Sequence, residues 1–203
     1  MKSTSVLLYL CSFLVFAAAV QAQDRPKFDL STDEGVNAAR EAVTGKKVDP
    51  RSTRCIRRHA DLPGIVMVGG FASDYGCRLQ GAFVGSRYLA TDEKGLSRSA
   101  LEALGWQADN RQQREKLVQA WVVRGLLGFL TVLATKNEDF ANRSFQPPQA
   151  VSREDGATAV TLWIRLPSGR VRGTTYQLRE YRFSSDGDFA GNTTLENFTA
   201  TRE

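Results

Sequence analysis

The sequence predicts an α+β fold: an antiparallel sheet packed around a long apolar helix. The sheet is a C-terminal three-strand meander plus one or two earlier strands. Three observations carry this. Residues 157–166 alternate strictly, Val160, Leu162, Ile164 and Leu166 on one parity, Thr161, Trp163 and Arg165 on the other, the period of a half-buried strand. Turn chemistry follows at Pro167-Ser168-Gly169 and at Asp186-Gly187, dividing the C-terminal part into three strands. Third, residues 109–135 read as one helix: Ala120, Arg124, Gly128, Thr131 and Thr135 form a small or polar line spaced by three and four, and Trp121, Leu126, Leu127, Phe129, Leu130 and Leu133 fill the other sides. A helix apolar on most sides belongs in a core. Its apolar part is short and holds Arg124, which argues against a membrane span of about 20 residues.

In chain order, residues 1–22 have the pattern of a secretory signal: Lys2, an apolar run over 6–20, and a site of small residues before Gln23, where the mature chain is expected to begin. Residues 23–30 form a lead-in, and 31–203 are expected to fold as a single α+β domain. Ser31-Thr-Asp-Glu34 has the capping-box pattern and starts a helix ending at Gly45. Residues 49–61 are polar, basic and interrupted by Pro50, hence a loop. Ile65 to Val68 is a short β-branched run closed by Gly69-Gly70, and 79–90 is a second strand weakened by Gly81 and Gly85. Ser97 is placed to cap a short helix. In the last part of the chain Tyr176 and Leu178 share one parity and Tyr181 and Phe183 the other, so a bulge near Arg179 is expected.

Once the signal is removed with Cys11, two cysteines remain, Cys55 and Cys77. In an oxidising compartment two cysteines predict one disulfide. With export this makes the chain secreted or periplasmic. One histidine and two cysteines cannot close a tetrahedral zinc site, and neither a Walker loop nor G-x-G-x-x-G occurs, so no metal or cofactor is expected. The net charge of +5 is too dilute for nucleic acid, which needs a dense basic stripe.

The feature closest to chemistry is the stretch holding Arg51, Arg54, Arg57, Arg58 and His59. Guanidinium groups bind carboxylate or phosphate through paired donors, which makes Arg54, Arg57 and Arg58 candidate anion ligands. His59 is the one candidate general base, with Asp61 as an orienting acid and Ser73 or Ser86 as available hydroxyls. Carboxylate pairs of the glycosidase kind reduce to Asp92 with Glu93 or Glu138 with Asp139. Asp186 and Asp188 have only a faint calcium spacing. Asn142, Asn192 and Asn197 begin sequons, glycosylated only if the source is eukaryotic. The reading is an exported, non-enzymatic domain that binds a small anionic ligand or an envelope partner. The alternatives are a small secreted hydrolase using His59 or a carboxylate pair, and an adaptor without a pocket.

Overall fold

A computed structural model describes residues 28–72, 76–91, 95–106, 110–166 and 173–200. The signal-like segment, Cys11, Ser73, Asp92 and Glu93 lie outside them. The fold is α+β with antiparallel sheets, as the pattern requires, but there are two sheets. The first has four strands in the order β1-β2-β3-β4: β1 (Ile56–Arg58), β2 (Ile65–Ala72), β3 (Gly76–Val84) and β4 (Arg87–Ala90). The second has five. β7 (Thr158–Arg165), β8 (Thr174–Phe183) and β9 (Phe189–Ala200) are the expected meander. β5 (Thr131–Val132) and β6 (Gln149–Ser152) pair with the free side of β7 at its two ends. The earlier strands therefore form a sheet of their own and do not extend the meander.

One core fills the space between the sheets. Ile65, Met67, Ala82 and Leu89 meet Val160, Leu162, Ile164, Tyr181 and Phe183 there, together with residues of helices α2 (Leu96–Ala103) and α3 (Arg111–Ala120). Each sheet is also covered on its outer face. Helix α1 (Asp33–Thr44) lays Val36 and Ala39 on Ile56, Val66, Val68 and Phe83. Beyond the second sheet, Phe140, Trp163, Tyr176 and Phe198 form an aromatic cluster with edge-to-face rings about Phe140, a geometry that adds to area burial.

This two-sided burial explains the parity change in β8. Its register with β7 is continuous from Thr158↔Phe183 to Arg165↔Tyr176. Tyr181 and Phe183 face the central core, whereas Tyr176 and Leu178 face the aromatic cluster. The irregularity expected near Arg179 does fall between Leu178 and Arg179, but the extra residue, Leu195, is on β9, between the pairs Leu178↔Glu196 and Arg179↔Thr194; a second extra residue, Ala190, lies between Arg182↔Gly191 and Phe183↔Phe189. Trp163, on the polar parity, is buried for the same reason.

The expected long helix ends early. α3 stops at Ala120 and passes into a π-helical turn, Trp121–Leu126, closed by Leu127 N–H donating to the Val122 carbonyl at 2.9 Å. The chain then turns and enters β5, where Thr131 pairs with Arg165 and Val132 with Ile164. Two residues favour this break. A side chain at Gly125 would collide with the Trp121 ring, and one at Gly128 with the Arg124 carbonyl. The β-branched pair Thr131-Val132 then suits a strand better than a helix.

Smaller differences have local causes. The cap of α1 is Thr32, whose hydroxyl accepts from Gly35 N–H, rather than Ser31; Ser31 bonds Asp29 instead. Gly95 caps α2, and Ser97 lies inside that helix, buried, accepting from the Trp121 indole N–H at 3.0 Å. β2 runs through Gly69-Gly70 because β3 opposes it with one extra residue, Gln80. Gly85, at φ 57, turns β3 into β4. Among the described residues no helix is long and apolar enough to cross a membrane, which says nothing of β-barrels.

Candidate functional site

Cys55 and Cys77 form a disulfide with a Cα–Cα distance of 5.4 Å. It ties the start of β1 to the start of β3 across β2, and Cys55 is fully buried. The bridge anchors the arginine-rich stretch, and the arginines leave it in different directions. Arg51 pairs with Asp49, and both Arg51 and Arg54 lie over the Phe71 ring. Arg58 points towards α1, donating to the Leu30 carbonyl at 3.0 Å and to Asp33 at 2.6 Å. Arg57, with the opposite parity on β1, donates to the Arg54 and Ile56 carbonyls and lies 5.4 Å from the Phe129 ring centroid. Arg54, Arg57 and Arg58 do not converge on one point.

A different set does converge. His59 leaves β1 on the Arg57 side and lines a cavity of about 260 Å³ with Val123, Arg124, Leu127, Thr131 and Pro148. A second cavity shares Val123, Arg124, Ala134 and Pro148 with it and adds Asp61, Lys116 and Gln119. Together they form one groove running beside the π-turn, with Arg124 at its centre. π-turns inside α-helices often mark functional positions. Arg124, Gly128 and Thr131, three residues of the small or polar line, face it.

Two groups in the groove are under-used. His59 Nε2 is sealed from solvent without a hydrogen-bond partner. Arg124 faces the Asp61 carboxylate at 3.6 Å, an ion pair too long to be a hydrogen bond. The imidazole pKa is pushed down, first by burial, then by the Arg124 charge; Asp61 opposes this and Arg57 adds to it. His59 is thus held neutral at pH 7 beside two guanidinium groups. The shift also predicts a stability slope. The folded pKa lies below the unfolded value of about 6.5, so the unfolded chain binds more protons between the two. Stability should fall as the pH drops from about 6.5 to the folded pKa and be flat above. His59→Gln should abolish that slope in urea titrations at stepped pH; an unchanged slope would assign it to other groups.

The remaining candidates are held by structural partners or stand exposed. Asp139 accepts a short hydrogen bond from the Tyr176 hydroxyl, whose pKa rises through burial first and this contact second; Glu138 is exposed. Asp186 and Asp188 both pair with Arg98, which accounts for their spacing. Ser86 is exposed in the turn between β3 and β4. Asn142, Asn192 and Asn197 are all exposed. Among the described residues no three His, Cys, Asp or Glu side chains gather to hold a metal ion.

A further cavity of about 500 Å³ opens on the other side of the 127–130 turn. Its apolar wall is built from Leu79, Leu126, Leu127, Phe129, Leu130 and Phe189. Nothing in the sequence pointed to it, because its residues come from β3, the π-turn, β8 and β9.

Comparison of the chain with protein-family models, curated proteins and solved structures finds no match.

Proposed function

We propose that the chain is an exported, non-enzymatic domain that binds a small carboxylate in the groove between His59 and Arg124. The observation that carries this is the pairing of unspent donors: a sealed Nε2 without a partner beside a guanidinium whose nearest carboxylate stands 3.6 Å away. Buried polar groups are ordinarily satisfied, and a ligand carboxylate would meet both needs. It would take up the guanidinium through paired donors and accept from the imidazole. Val123, Leu127, Val132 and Pro148 favour a ligand with an apolar body. Asp61 holds the site in the empty state and yields to the incoming carboxylate. Export is supported by the signal-like start of the sequence and by the disulfide, since such bridges persist in oxidising compartments.

His59 is the only histidine in the chain, so its ring resonances report on the groove without ambiguity. Titration with benzoate, followed by NMR, should shift them saturably and raise the imidazole pKa. A carboxylate favours the imidazolium form, so binding should tighten as the pH falls below about 6.5. Arg124→Ala should weaken it by about 10- to 100-fold, the loss of a charge-assisted pair. A flat titration to tens of millimolar would sink the proposal.

A further inference from the structure

Another cavity, of about 480 Å³, lies on the α1 side of the first sheet, by the C-terminal end of that helix. Gly70 and Gly81 leave bare backbone there, and two side chains lie over them. A Cβ at Gly70 would collide with the Gln80 amide, and one at Gly81 with the Tyr88 hydroxyl. Gln80 is the extra residue that β3 sets against β2, and bulges of this kind re-aim a side chain. Arg40 of α1 holds Gln80, donating to its Oε1 and, at 3.3 Å, to the Gly69 carbonyl.

The charge of this cavity is one-sided. Arg40, Lys46 and Lys47 line it, and among the described lining residues the one carboxylate is Asp49. Asp49 is already engaged: both its oxygens accept from the Arg51 side chain and one also from the Arg51 N–H, contacts that lower its pKa. Arg51 and Arg54 both lie over the ring of Phe71, another lining residue. Lys46 and Lys47 are exposed, and neither ammonium group pairs with a described carboxylate. Glu41, one turn before the end of α1, accepts from Val48 N–H instead. A helix C-terminus favours cations, which accounts for lysines after Gly45. It does not account for Arg40 reaching back onto the sheet, nor for a cavity within the usual size range of small-ligand sites.

We propose that this cavity binds a phosphate monoester with a small ring body. Three cations facing one neutralised carboxylate suit a dianion, and lysines hold phosphate as point charges. The head sits among Lys46, Lys47 and Arg40, and the ring packs on Phe71 and Tyr88. The site shares no lining residue with the His59 groove and does not depend on the carboxylate bound there.

Phenyl phosphate is the probe, in calorimetry on the oxidised protein at low salt. Saturable one-to-one binding is expected. Lys46→Ala with Lys47→Ala should weaken it by about 10- to 100-fold, the loss of charge-assisted contacts. The melting temperature should not move, because both side chains are exposed. Lys136→Ala with Arg153→Ala removes the same charge from the second-sheet part of the chain and should leave binding intact. Benzenesulfonate, with one negative charge, should bind less well. Arg124→Ala should not change the affinity for phenyl phosphate, which keeps the result independent of the groove. Phosphatidylcholine vesicles doped with phosphatidic acid present the same monoester on a membrane. Binding to these as well as to phenyl phosphate would make a lipid headgroup the source, and binding to phenyl phosphate alone a soluble ester; both support the site. Binding to the vesicles alone would overturn it, since surface charge would then suffice. So would equal binding by the Lys46 and Lys47 variant, an equal loss in the Lys136 and Arg153 variant, or equal affinity for benzenesulfonate.

Discussion

Trp121→Ala is expected to cost about 3–5 kcal/mol, the range for emptying a buried aromatic site. The residue is fully buried at the junction of α3 and the π-turn. Its ring covers Gly125, and its indole N–H reaches Ser97 inside α2. Removing it leaves a cavity, strands the Ser97 hydroxyl and frees the turn that positions Arg124. Urea denaturation should show a lower midpoint with an unchanged slope if folding stays two-state. Trp121→Phe separates the terms: it keeps most of the packing and loses the hydrogen bond, so about 1–3 kcal/mol should remain as the cost of an unpaired buried hydroxyl. Equal losses in both variants would show that the hydrogen bond, not the volume, dominates.

Removing the disulfide should be nearly as damaging. Cys55→Ala with Cys77→Ala opens a loop with a sequence separation of 22 residues, and chain entropy alone puts the loss at about 3 kcal/mol. For a chain of this size that corresponds to a fall in melting temperature of about 6–12 °C. Calorimetry of the double variant and of the reduced wild type should agree. A negligible change in both would mean that the pairing of β1 with β2, and of β2 with β3, holds these ends together unaided.

The sequence was most legible where one physical demand acted alone. The meander of β7, β8 and β9 and the disulfide follow from period and composition. The readings that failed lie where two demands compete. β8 serves the central core with Tyr181 and Phe183 and the aromatic cluster with Tyr176, so its parity changes with no extra residue of its own to cause it. Residues 109–135 read as one helix because, after Leu117, nearly every residue outside one small or polar line is apolar. The break depends on a ring lying over Gly125, a contact invisible to periodicity. The groove was half legible: His59 does line it, Arg57 shares its side of β1, and Arg124 was marked by its place on the polar line. Asp61 and Lys116 join them only through tertiary packing, and the apolar cavity beyond the 127–130 turn, assembled from distant strands, left no local signal.

The displaced bulge has a consequence for how the molecule behaves in company. β9 is 12 residues long and, among the described strands, pairs only with β8. A long, regular outer strand offers a row of open amides and carbonyls to any neighbouring chain, the first step in aggregation. Leu195 interrupts that row near its middle, and its insertion twists the strand locally. A second molecule cannot match the outer edge along its whole length, because the strand changes register at Leu195 and again at Ala190, so an irregularity that looks like a flaw in the sheet works against edge-to-edge pairing.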